Sequence, residues 1–160
     1  MRPLLALIGL GNAWRRDDGV GLWVAEQIQA RNLQGLKVAP LSIPDPVALA
    51  RAWEGARIVW IVDAVRAGRP PGTVLRLRWD RLPDPQERWC STHGIPIQEA
   101  IPLARALGDP PASITVYGIV GRDFGHGEGF TPEVEAGAHR LLRRLERLIP
   151  HVLRCLDHSA

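Results

Sequence analysis

The sequence predicts an α/β fold on a mixed sheet, and three observations predict it. Apolar runs bounded by glycine and proline alternate with stretches whose apolar residues recur every three or four positions. The run 57–65, Arg-Ile-Val-Trp-Ile-Val-Asp-Ala-Val, is nearly continuous and β-branched, as a central strand covered on both faces requires. The linker after it, Arg66–Gly72, is shorter than the roughly twelve residues a parallel crossover needs. One strand must therefore run against the others. A length of 160 residues and a hydrophobic content of 46% suit one domain with a real core.

Taken in order, the first strand is expected over residues 3–9. It feeds the turn Gly9-Leu-Gly-Asn-Ala-Trp-Arg-Arg-Asp-Asp-Gly-Val-Gly21. A helix over 18–31 follows, with Val20, Trp23, Val24, Gln27 and Ile28 at helical spacing and Asn32 and Gly35 as its stop. The second strand spans 36–43. Pro44-Asp45-Pro46 ends it and starts a helix over 46–54, which Gly55 terminates. The third strand, 57–65, carries Asp63 near its end. The fourth, 73–79, is expected antiparallel to the third and alternates Val74, Leu75, Leu77 and Trp79 with arginines.

Residues 80–93 show no period and read as a loop ending at Ser91-Thr92-His93-Gly94. A helix over 95–107 turns Ile97, Ala100, Ile101, Ala104 and Leu107 inward. The last strand is 113–120, and a glycine-rich stretch with Asp123, His126 and Glu128 succeeds it. Thr131-Pro132-Glu133 has the hydroxyl, proline and acid of a helix start. The final helix carries Val134, Ala138, Leu141, Leu142, Leu145, Leu148 and Ile149 before Pro150.

Composition excludes several classes. The formal charge is +3, carried almost wholly by arginine, since Lys37 is the only lysine. No basic block interleaved with aromatics points to nucleic acid. Cys90 and Cys155 lie far apart, which suits reduced thiols in the cytoplasm. The apolar run Pro3–Leu10 is short for a signal sequence and reads as the first strand, and no stretch reaches membrane-spanning length. A soluble cytoplasmic protein is the expectation.

The candidate chemistry sits where strands end. Asp17 and Asp18 open a helix, where free N–H groups and the dipole favour carboxylates, and capping alone would account for them. Gly19 and Gly21 weaken a first helical turn by about 1 kcal/mol each, so something must approach the backbone closely there. Asp63 ends an apolar strand, where a carboxylate needs a partner such as Arg66, a backbone amide, or a cation. His93 and His126 are rival loop histidines, while His139, His151 and His158 read as surface residues. There is no G-x-S-x-G elbow, H-E-x-x-H helix or phosphate loop.

Four motifs now stand in register: Gly9-x-Gly11-Asn12 with Asp17-Asp18-Gly19-x-Gly21; Val62-Asp63-Ala64; Ser91-x-His93-Gly94; and Val116-Tyr117-Gly118-Ile119 with Gly127-x-Gly129-Phe130-Thr131-Pro132-x-Val134. Together they resemble the hydrogenase maturation endopeptidases, which remove the C-terminal extension from [NiFe] hydrogenase large-subunit precursors. The resemblance implies a three-layer α/β/α sandwich on a mixed, mostly parallel five-stranded sheet. It also implies that Asp18, Asp63 and His93 are both the metal-contacting and the catalytic positions. The nickel would arrive bound in the substrate precursor, with no organic cofactor. Asn12, Asp17, Gly94 and His126 flank these positions and are candidate substrate contacts.

Two carboxylates and an imidazole suit a borderline divalent ion, and an ion so held can polarise a peptide carbonyl and activate water. The turn Ser42-Ile43-Pro44-Asp45-Pro46 departs from the Asp-Gly-Gly-Thr-like turn of many relatives. Two other readings compete: a nickel-dependent chaperone that binds the same precursor without cutting it, and a peptidyl-tRNA hydrolase-like esterase. The second needs a histidine soon after the first turn, where this chain has Asp17-Asp18. A monomer that contacts its client transiently is the expected state.

Overall fold

A computed structural model of the protein describes residues 5–82 and 95–159. Five strands, β1 (Leu5–Leu10), β2 (Leu36–Leu41), β3 (Ile58–Val65), β4 (Val74–Arg78) and β5 (Ser113–Val120), form one sheet in the order β2-β1-β3-β5-β4. The first four of these neighbours run parallel, and β4 joins β5 antiparallel. The fourth strand thus runs against the third, as its short linker requires, but its neighbour is β5. The pairing Gly72 N–H to the Val120 carbonyl closes that edge.

Period-2 alternation splits the core into two layers. Leu5 and Leu7 of β1 and Trp60, Val62 and Ala64 of β3 face helices α1 (Val20–Gln29) and α4 (Pro132–Asp157). Ala6, Ile8 and Leu10, with Val59, Ile61 and Val65, face α2 (Pro46–Ala52) and α3 (Ile97–Ala106). The result is the expected three-layer sandwich. β1, β3 and β5 are covered on both faces, which is why their sequences are nearly uninterrupted apolar runs.

Local chemistry sets most boundaries. Asp45 caps α2 by accepting from the Val47 and Ala48 N–H groups, with Pro46 at the first helical position. Gly35 and Gly55 take left-handed backbone after α1 and α2 (φ 81° and 80°). The end of α4 is the exception. Pro150 lies inside the helix, which continues to Asp157. An internal proline costs roughly 3 kcal/mol, and the last turns offset it by burying Leu156 and packing Val152 and Leu153 on the core. No helix among the described residues is long and apolar enough to cross a membrane.

Candidate functional site

Only four polar or charged residues are buried among those described, and three of them are Asp17, Asp18 and Asp63, exposed by 0%, 2% and 2%. They meet at the carboxyl edge of the sheet. Asp17 and Asp18 belong to a single 3-10 turn, Arg16–Gly19, between β1 and α1. The helix therefore begins two residues later than the spacing predicts.

The glycines explain how this turn reaches the sheet. A Cβ on Gly21 would strike the carbonyl oxygens of Leu10 and Val62. One on Gly9 would strike the Gly21 carbonyl, and one on Gly11, whose φ is 146°, the Asp18 carbonyl. What approaches these glycines is the chain itself. They let the start of α1 sit directly on the ends of β1 and β3, which brings Asp18 beside Asp63. The Asn12 N–H then donates to Asp18 Oδ2 at 3.1 Å.

Asp63 shares the β3 face of Ile61 and Val65 and lies opposite Gly118 of β5. Burial, and then the charge of Asp18, push its carboxyl well above the usual carboxylate range, and a hydrogen bond from the Ala64 N–H opposes them. Asp63 Oδ1 has no hydrogen-bond partner among the described residues. Arg66, one candidate partner, lies instead over the Phe124 ring at 4.4 Å. Two adjacent carboxylates with an unpartnered oxygen form a site whose electrostatics favour a cation or a proton.

The remaining candidates fall out differently. His93 and Gly94 lie outside the described residues, as does Cys90. Among the described residues, no group of three or more His, Cys, Asp or Glu side chains could hold a metal ion. His126 is exposed on the glycine-rich loop, and Asn12 is half-buried with its Oδ1 accepting from the Trp14 N–H at 3.0 Å.

Asp17 is fully buried, and both of its carboxylate oxygens are engaged by the 122–131 loop. Oδ2 accepts from the Arg122 and Asp123 N–H groups at 2.9 and 2.8 Å. Oδ1 accepts from the Thr131 N–H at 2.8 Å, and the Thr131 hydroxyl donates to the same carboxylate. Sequence reading assigned that hydroxyl to capping α4. Instead it serves an acid more than a hundred positions earlier, and Asp17 itself takes up a free N–H beside the α4 start. Nothing in the local pattern of Thr131-Pro132-Glu133 signals this.

Residues 45–148, more than half of the chain, match the family model HycI, hydrogenase maturation protease. The chain belongs to the hydrogenase maturation protease family. Asp63 and His93 fall within the matched stretch, and Asp18 precedes it. HupD, a hydrogenase expression/formation protein of Thiocapsa roseopersicina, is 29% identical over 119 residues. That match takes in 73% of this chain and 54% of HupD, so the chain spans about half the length of that relative.

Solved structures of maturation proteases share the fold at lower identity. HybD of Thermococcus kodakarensis has a TM-score of 0.69 at 23% identity, covering 92% of this chain and 99% of that one. The endopeptidase HycI of Escherichia coli gives 0.72 at 22% identity, with 89% and 88% covered.

Proposed function

We propose that this hydrogenase maturation protease family member is an endopeptidase that removes the C-terminal extension of a nickel-loaded [NiFe] hydrogenase large-subunit precursor. In this reading Asp18, Asp63 and His93 recognise the nickel in the precursor, and no organic cofactor takes part. The observation that supports it is the pair of buried, mutually repelling carboxylates at the carboxyl edge of the sheet. A pair of this kind is costly in the free protein. A cation presented by a client would relieve that cost, so affinity for the nickel-loaded precursor would exceed that for the nickel-free one. Nickel held between the acids and the client would polarise the scissile carbonyl and lower the pKa of attacking water, without a serine or cysteine nucleophile. The client's nickel is part of the substrate, and the protease is expected to act as a cytoplasmic monomer.

Incubating the protein with nickel-loaded and nickel-free precursor, followed by intact mass spectrometry, tests this. Loss of the extension from the nickel-loaded form alone is expected. Asp18→Asn, Asp63→Asn and His93→Ala should abolish it while leaving the circular dichroism spectrum unchanged. Normal processing by Asp18→Asn and His93→Ala would reject the site. A stable complex with unchanged precursor mass would favour the non-cleaving chaperone.

A further inference from the structure

The buried carboxylate that the proposed chemistry does not use is Asp17, and its surroundings form a built device. Segment 14–17 and the glycine-rich loop that leads into α4 grip each other along their length. Gly127 N–H donates to the Trp14 carbonyl at 2.8 Å, and Arg16 N–H to the Gly127 carbonyl at 3.0 Å. Asp17 N–H donates to the Asp123 carbonyl at 3.1 Å. The Arg15 guanidinium holds the Phe124 carbonyl through Nε and Nη2, at 3.2 and 3.0 Å. Asp17 closes the clasp with both oxygens.

Arg16 adopts left-handed backbone (φ 48°) inside this clasp, a conformation that a non-glycine residue keeps only when its surroundings impose it. Asp18 is the next residue after Asp17, and its N–H donates to the Arg15 carbonyl. Its carboxylate therefore has little freedom to move unless the clasp opens.

We infer that Asp17 is a positioning residue: with Thr131 it locks the 3-10 turn to the 122–131 loop and thereby fixes where Asp18 stands relative to Asp63. This deepens the proposed function, on which its kinetic consequence rests, and gives the glycine-rich loop a task in holding the site together. A misplacement of about 1 Å in a reacting constellation can cost on the order of 100-fold in rate.

The test uses Asp17→Asn and the milder Thr131→Val, which removes only the hydroxyl donor, with Thr131→Ser as the conservative rescue. With nickel-loaded precursor, Asp17→Asn should lower kcat by about 10- to 100-fold and Thr131→Val by several-fold, each leaving KM within about twofold. Thr131→Ser should match the wild type. The Asn12 amide proton, which is shared between the Asp18 carbonyl at 3.3 Å and Asp18 Oδ2 at 3.1 Å and so reports on where Asp18 stands, should shift in the NMR spectrum of folded Thr131→Val and return in Thr131→Ser. That second readout needs no precursor. If the wild-type protein fails to process precursor, the proposed function falls while the amide shift still decides the positioning role. An unmoved Asn12 amide together with wild-type kcat in Thr131→Val overturns the inference. So does a raised KM with unchanged kcat in Asp17→Asn, which would make Asp17 a substrate contact.

Discussion

Gly21→Ala is the sharpest probe of how the site is assembled. The new methyl would strike the Leu10 and Val62 carbonyl oxygens and lie 3.0 Å from the Val62 carbonyl carbon. Carbon contacts ordinarily sit at about 3.5–4.0 Å, so α1 must lift off the sheet by roughly half an ångström or more. Overpacking costs typically 1–3 kcal/mol, and rigid backbone neighbours put this site at about 3. Alanine returns about 1 kcal/mol of helix propensity, leaving a net loss of about 2 kcal/mol. For a chain of this size that lowers Tm by about 4–8 °C. Thermal unfolding followed by circular dichroism reads it directly. Because the same movement carries Asp18 away from Asp63, precursor processing should fall further than the lost stability explains. An unchanged Tm would refute the close seating of α1 on β1 and β3, and with it the account of why these glycines stand where they do.

Three further outcomes follow from the structure. The native state holds the Asp63 proton more tightly than the unfolded chain does, so Asp63 withdraws stability as pH rises from about 4 through its raised value. Asp63→Asn should therefore be inactive yet more stable than the wild type near pH 7, the two converging near pH 4, as urea midpoints at several pH values will show. Leu145→Ala empties a fully buried position between α4 and the sheet and should cost about 2–5 kcal/mol in urea denaturation. Arg122→Ala removes an exposed pair with Glu133 (2.7 Å, side chains 62% and 41% exposed) and should change the same midpoint by less than about 1 kcal/mol.

What was legible in the sequence was what local chemistry decides. The apolar runs of β1, β3 and β5 announce strands covered on both faces, and Asp45-Pro46 and Gly55 bracket α2 in a way no neighbour could alter. The short linker before β4 dictates its direction. It says nothing about which strand β4 joins, because that depends on where β5 comes to lie. Pro150 reads as a terminator locally and is overridden by the apolar stripe that continues to Leu156.

The candidate site divides along the same line. A charged residue closing an apolar strand singles out Asp63 from sequence alone. The companion acid is harder, since Asp17 and Asp18 are adjacent and chemically identical. The family resemblance points to the second of them, and the fold supplies the physical difference: Asp17 is saturated by N–H donors from residues 122–131, whereas Asp18 lies beside Asp63. The glycines around them suggested room for a visitor and turn out to make room for the helix itself.

The placement of β2 and β4 at the two rims of the sheet has a further consequence. Rim strands invite other chains to add on, and such growth leads to fibres and precipitates. Pro40 interrupts the supply of amide protons along β2, and Arg76 and Arg78 load β4 with like charge. Neither border is a good template for a stranger's backbone. Both vulnerable margins of this open sheet are thereby guarded against growth by edge-to-edge strand addition.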